Sequence, residues 1–366
     1  MVAQTAYSLK ENVKETVEEI QKQFTLHPCA ILFFASSKYD IDQLGKALQN
    51  AYSDAKIFGC STAGEIVTGK MLKNSVVAMA FDKDSIADID VAVVEQLKTQ
   101  NNVKTALEQF EKYYKQSLGI LSIDEYVGIV LVDGLSGAEE KVMDTLGNLT
   151  DIIFIGGSAG DDLKFKATHV FANGKAYTEA AILALMKPTK GYEILKTQSF
   201  KILDTKLVAT KVNEATREVL CFNSVPAVEA YAKATRTTPQ TASGSFMKNP
   251  VGLVVNNEPF VRSPQQIKDS SMVFYCNIKE GSELSLLEST DIVSDTKKAY
   301  NDILSECNVS AVINFNCILR TLELEQKKQT EAYGQIFSKT PTVGFSTYGE
   351  EYLGHINQTA TMLIIK

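Results

Sequence analysis

Apolar runs of strand length alternate along the chain with amphipathic stretches of helical period, and the alternation repeats. Residues 8–24 predict a polar helix with Leu9, Val13, Val17, Ile20 and Phe24 on one side. Residues 30–34 are continuously apolar, as in a strand covered on both faces, and lead to a helix over 41–52 and a strand over 56–59. Strands follow at 75–81 and 86–94, the second alternating through Ile89, Val91 and Val93. The order then returns as helix 102–114, strand 126–132, helix 138–146, strand 152–155 and strands 168–171 and 180–186, with Asn173-Gly174 as a hairpin signal. A third copy runs from strand 311–315 through helix 321–337 and strand 342–343 to a last strand ending at Ile365. Each copy takes roughly 60 residues, the length of one supersecondary unit. Residues 193–290 are strand-rich, with one helix after Pro226, strands at 251–255, 272–276 and 283–287, and a long polar loop over 234–249. The pattern predicts an α/β protein of mixed sheets with flanking helices, built from a repeated strand-helix-strand-turn-strand-strand unit. An N-terminal helix over 1–29 precedes two domains, 30–225 and 226–366.

In each copy the second strand runs into glycine, serine and a carboxylate: Gly59-Cys60-Ser61-Thr62-Ala63-Gly64-Glu65, Gly156-Gly157-Ser158-Ala159-Gly160-Asp161 and Gly344-Phe345-Ser346-Thr347-Tyr348-Gly349-Glu350. This composition predicts a turn where the backbone approaches something closely and offers hydroxyls, N–H groups and one anion together. The first strands also end in polar residues, at Ala35-Ser36-Ser37, at Asp133-Gly134-Leu135-Ser136-Gly137, and at Asn316-Cys317 with Arg320 beyond. Ligands of open α/β sheets sit at the carboxyl ends of strands, so two polar loops per copy converge where the two strands are parallel neighbours.

Composition narrows the chemistry. With 366 residues, 45% of them hydrophobic, the chain exceeds one core. A net charge of −7 argues against a nucleic-acid partner, whose phosphates need a concentrated basic face, and Lys297-Lys298 and Lys327-Lys328 read as solvated helical faces. Six scattered cysteines without a C-x-x-C pair argue against disulfides and cysteine zinc sites. The three histidines, His27, His169 and His355, are too far apart for a helical metal motif. The absence of a secretory stretch or long apolar run predicts a cytoplasmic, soluble chain without membrane insertion, metal or cofactor.

Ser61-Thr62 with Glu65, and Ser158 with Asp161, suit an ammonium or hydroxyl, or else satisfy their own backbone as turns. Arg320 is one of four arginines, and its guanidinium fork fits a carboxylate of the ligand or a buried pair with Glu331 or Glu350. Arg262 is a second candidate of the same kind. Cys60 and Cys317 are thiols at strand ends or small packing residues, and His355 is a donor or a structural histidine.

The three glycine-serine segments, Asp133-Gly134-Leu135-Ser136-Gly137, Asn316-Cys317 with Arg320, and His355-Ile356-Asn357 stand in the order of the FIST family, which the chain resembles from about residue 30 onward. The resemblance implies an N-terminal and a C-terminal FIST domain forming a sensory module that binds small molecules such as amino acids. It also implies an output domain, here supplied by a separate partner protein. The expected ligand site lies between the two domains and draws on Ser61, Thr62, Glu65, Asp133, Ser158, Asp161, Asn316, Cys317, Arg320, Ser346, Thr347, Tyr348, Glu350 and His355. Within it, Glu65, Asp161 and Glu350 face the cationic or hydroxyl part of the ligand and Arg320 its acid part.

Two other readings compete. Gly156-Gly157-Ser158-Ala159-Gly160 has the G-x-S-x-G spacing of a serine hydrolase, but the chain from Asp161-Asp162 through Phe165 leads toward a strand, where a nucleophile elbow needs a helix. A ligand-independent scaffold is the other. Nucleotide binding lacks both G-x-G-x-x-G opening a helix and G-x-x-x-x-G-K-[ST]. No catalytic constellation is expected.

Overall fold

The computed structural model describes residues 3–100 and 102–366, which form two compact units. The first holds the residues up to 197 together with 297–355 and 360–366, and the second holds 198–296 and 356–359. Pro226 lies inside the second unit.

In chain order the first copy comprises β1 (Ala3–Ser8), α1 (Val13–Gln23), β2 (Ala30–Ser36), α2 (Ile41–Ala51), β3 (Lys56–Thr62), β4 (Glu65–Val67), β5 (Lys70–Leu72), β6 (Val76–Phe81) and β7 (Ile86–Val94). The second comprises α3 (Val103–Tyr114), β8 (Val127–Val132), α4 (Glu139–Leu149), β9 (Phe154–Ser158), β10 (Val170–Ala172), β11 (Lys175–Tyr177) and β12 (Ala181–Pro188), with β13 (Tyr192–Gln198) after it. Then come β14 (Phe200–Asn213), β15 (Glu218–Phe222), β16 (Val225–Pro226), α5 (Ala227–Thr235), β17 (Val251–Val255), β18 (Glu258–Arg262), β19 (Pro264–Lys268), β20 (Ser271–Phe274), β21 (Glu283–Ser289) and α6 (Ile292–Glu306). The third copy closes the chain with β22 (Ala311–Cys317), α7 (Ile318–Gln326), α8 (Thr330–Gln335), β23 (Thr342–Thr347), β24 (Glu350–Tyr352), β25 (His355–Ile356) and β26 (Thr359–Ile365).

The glycine-serine segments are strand for most of their length, and the chain turns only after it, at 63–64, 159–160 and 348–349. Gly59 to Thr62, Gly156 to Ser158 and Gly344 to Thr347 continue the second strand of each copy, in parallel register with the first: Phe33 opposite Gly59, Val130 opposite Gly156, Asn314 opposite Gly344. A Cβ on Gly156 would land on the Val130 carbonyl oxygen, and Gly59 and Gly344 meet the opposing carbonyl in the same way. The strand tolerates glycine there because the neighbouring backbone leaves no room for a side chain.

After each of these strands the chain leaves its own sheet. β4 pairs with β23, β24 with β9 and β10 with β3, so every copy donates a hairpin to another in a closed cycle. The first unit therefore contains three six-stranded mixed sheets, β1-β6-β2-β3-β10-β11, β25-β24-β9-β8-β12-β7 and β13-β26-β22-β23-β4-β5. One face of each sheet joins a shared core around Phe34, Phe315 and Phe345, with Phe34 and Phe345 ring centroids 4.5 Å apart. The opposite faces are covered by helices, α1 and α2 on the first sheet and α3 and α4 on the second. Burial on both faces explains the unbroken apolar strands.

Two local expectations change. The N-terminal segment opens with strand β1 before its helix, which starts only where Asn12 caps the N–H groups of Lys14 and Glu15. The helix expected over 321–337 is broken between α7 and α8, where Lys328 takes a left-handed φ of 56°, so Lys327-Lys328 sits at the break and not on a helical face. The second unit is an antiparallel sheet, β18-β17-β21-β14-β15-β20-β19, on which α5 packs, with Tyr231 against Phe246.

Candidate functional site

The three crossings bring the serines of the repeated segment into one recurring geometry. The Ser61 carbonyl accepts from Gly160 N, the Ser158 carbonyl from Tyr348 N and the Ser346 carbonyl from Ala63 N, at 3.0, 3.1 and 3.4 Å. In return Ser61 N donates to His169, Ser158 N to Gly349 and Ser346 N to Gly64. Each copy's strand end is thus stitched to the crossing of another copy. The shared backbone pattern is architecture, and the side chains differ.

In the first and third copies the carboxylate is bound by the strand before it: Thr62 Oγ1 donates to Glu65, and Thr347 Oγ1 to Glu350 at 2.5 Å. Glu65 also accepts from Ser75 N at 3.0 Å and Ser75 Oγ at 2.5 Å. Burial nevertheless pushes Glu65 up to about 7. Because this carboxyl holds its proton longer folded than unfolded, its contribution to stability is present below the ordinary glutamate range near 4.5 and lost as pH rises through 7. Urea denaturation should therefore show the protein losing up to about 3 kcal/mol from this group between pH 4.5 and 8, a slope that Glu65→Gln removes. An unchanged slope in the variant would refute it.

In the second copy Asp161 accepts from the N–H groups of Phe165, Lys166 and Ala167 at 2.9, 2.6 and 3.1 Å and from the Tyr348 hydroxyl at 2.5 Å. Burial raises its pKa, but these donors outweigh burial and hold it below the usual aspartate range. Asp162 accepts from Ser36 and Ser37, pinning the loop between β9 and β10 onto the end of β2. Asp133 takes Thr168 Oγ1, Leu135 N and Glu179 N, so it anchors the far end of the same loop.

The third copy carries a buried polar network. Arg320, 2% exposed, donates from Nε to Asn316 Oδ1 at 3.0 Å, and the Tyr333 hydroxyl donates to the same oxygen. Asn316 Nδ2 reaches Thr321, whose hydroxyl meets Ser346 at 2.8 Å. Cys317 is buried at the N-cap of α7. Cys60 is fully buried, which pushes its thiol well above the ordinary value, away from reactivity.

Ser158 is fully buried and its hydroxyl lies 3.2 Å from both Glu139 Oε1 and Glu351 Oε1. His355 Nδ1 sits 2.9 Å from Glu351, so this histidine partners a carboxylate and not the serine. The chain continues from Ser158 into a loop. The helix that a nucleophile elbow needs after its serine is absent, and no histidine partners the Ser158 hydroxyl among the described residues.

A cleft of about 460 Å³ opens at the carboxyl ends of β2 and β3. Ser37, Lys38 and Asp40 line it from the β2–α2 turn, Ser61 from β3, and Asp161, Lys164, Lys166 and His169 from the second copy's loop. Of the residues expected at a ligand, Ser61 and Asp161 line this cleft, and Tyr348 reaches it through Asp161. Thr62, Glu65, Asp133, Ser158, Asn316, Cys317, Arg320, Ser346, Thr347, Glu350 and His355 are not among its lining residues. Lys164, Lys166, His169 and Glu351 were missed. Glu351 was accessible from strand alternation, which puts it on the opposite face from Glu350, whereas the lysines belong to a loop without periodicity.

Among the described residues no helix is long and apolar enough to cross a membrane, and no group of His, Cys, Asp and Glu is arranged to hold a metal ion. An uncharacterised protein of Methanocaldococcus jannaschii is 21% identical over 323 residues, covering 81% of this chain and 61% of that protein. The chain thus spans about three fifths of that relative's length. The FIST N domain model matches residues 29–224 and the FIST C domain model residues 227–352, which takes in all three stitched strand ends. The chain belongs to the FIST family, whose domains are sensory, signal-transduction modules.

Proposed function

We propose that this protein is a small-molecule sensor whose ligand, an amino acid or small organic acid, binds in the cleft at the ends of β2 and β3. The carrying observation is that this one cleft draws its floor from the first copy and its wall from the second, while Tyr348 of the third holds the wall in place. A ligand there touches the crossings on which the three sheets depend, so occupancy biases the whole first unit. Transmission goes to a separate signalling partner. The six cysteines form no disulfide among the described residues, which fits a reducing compartment, and the cytoplasm is the proposed location.

Thermal-shift screening of the full chain against amino acids and small organic acids tests the reading. A ligand at about 100 times its Kd adds about 2.7 kcal/mol, a shift of several degrees. Ser61→Val should remove that shift while Arg320→Lys, away from the cleft, retains it. No stabilising compound across the panel would sink the proposal.

A further inference from the structure

Resting on the reading of the cleft as the ligand site, we infer that its ligand is a compact dianion without an ammonium group: a small dicarboxylate or a phosphomonoester. The ligand's charge follows from which charges of the cleft already have partners. Every carboxylate lining the cleft is already engaged. Asp40 caps α2 through Gln43 N and also takes Gln43 Nε2, at 3.0 and 2.9 Å. Asp42 accepts from Ala176 N and Lys46, at 3.0 and 2.6 Å, and Asp161 accepts from four donors. A ligand ammonium would have to compete with these donors for the carboxylate oxygens.

The cations are in the opposite condition. Lys38 lies over the Tyr39 ring, 4.9 Å from its centroid, and neither it nor Lys166 has a carboxylate partner among the described residues. Lys164 bonds Ser37 Oγ at 2.8 Å and stands 3.9 Å from Asp162. These ammonium groups approach from two segments, the β2–α2 turn and the second copy's loop, on a chain whose net charge is −7. Three lysines and three aspartates line the cleft, and Lys38 and Lys166 are the charges that no carboxylate there pairs, so an anion is the charge they can take up. Ser61 adds the second observation. It is 1% exposed, accepts from His169 N at 2.9 Å, and its own proton has no acceptor among the described residues. A buried donor at the cleft floor asks for an acceptor oxygen, which a carboxylate or phosphate supplies.

Calorimetric titration of the full chain with succinate, phosphoglycolate, L-aspartate and butyrate tests this. Succinate and aspartate differ by one ammonium group, and butyrate lacks the second charge. Succinate or phosphoglycolate should bind at least about tenfold more tightly than aspartate and butyrate, and Lys38→Gln or Lys166→Gln should each weaken it about fivefold or more. Binding confined to succinate or to phosphoglycolate supports the inference and identifies the acid. Aspartate or butyrate binding as tightly as either, and weakened by Ser61→Ala, overturns the dianion while leaving the cleft as ligand site. No binding of any probe, together with an empty wider panel, overturns both.

Discussion

Glu351→Ala is expected to cost about 3–5 kcal/mol in urea denaturation at pH 7, because it leaves a buried imidazolium without its counter-ion. The side chains of His355 and Glu351 are 1% and 0% exposed, and the contact between them is 2.9 Å. Burial alone drives a histidine toward neutrality. Here the Glu351 carboxylate outweighs it and lifts His355 to about 9. Glu351 is raised too, since burial opposes its charge, its Oε2 has no hydrogen-bond partner among the described residues, and Glu139 stands on the far side of Ser158. Part of what the pair returns is therefore consumed in keeping Glu351 ionised, which is why removing one partner costs more than the intact pair contributes.

The sign with pH comes from His355. Its folded value lies above the ordinary 6.5, so its contribution is fully present below about 6.5 and lost as pH rises through 9. Wild type should lose stability across that window, and Glu351→Gln, which keeps the shape without the charge, should flatten the loss. The Ser158 hydroxyl has one proton to offer and two carboxyl oxygens at equal distance, so it can donate to only one of them at a time. An identical pH slope in wild type and Glu351→Gln would refute the assignment of the charge to this pair.

The three copies were legible because strands covered on both faces leave an unbroken apolar run, and 30–34 and 311–315 show it plainly. The destination of the hairpins was not. β4, a strand of three residues close behind β3, carries nothing to say that it pairs with β23 across nearly the whole chain, and successive strands ordinarily neighbour one another. Glycine and serine are weak strand formers, so Gly156 to Ser158 read as a turn. Only the opposing Val130 carbonyl, unseen in sequence, makes glycine the strand residue there. At the cleft, Ser61 and Asp161 stood out by their position after strands. The lysines and His169 did not, because the loop from β9 to β10 takes its shape from side-chain anchors, with Asp162, Leu163 and Phe165 all in the left-handed region.

That close approach yields the other large effect. Gly156→Ala should destabilise the protein by about 3 kcal/mol or more, since overpacking against backbone cannot be relieved by a rotamer change. The added Cβ falls on the Val130 carbonyl oxygen, within the β8–β9 parallel ladder, and Gly156 is also the partner of Glu351 in the donated strand β24. One methyl group therefore pushes apart the two strands of the second copy and loosens the hairpin that the third copy contributes. Gly147→Ala is the matched control. It lies in α4 with nothing near its missing Cβ, so the same substitution there should stabilise by about 0.5–1 kcal/mol through lower backbone entropy. Opposite signs for two chemically identical changes would separate close packing from glycine's general cost. If Gly156→Ala unfolds within about 1 kcal/mol of wild type, the crossings yield more readily than their geometry requires, and ligand occupancy at Ser61 would have little to act on through them.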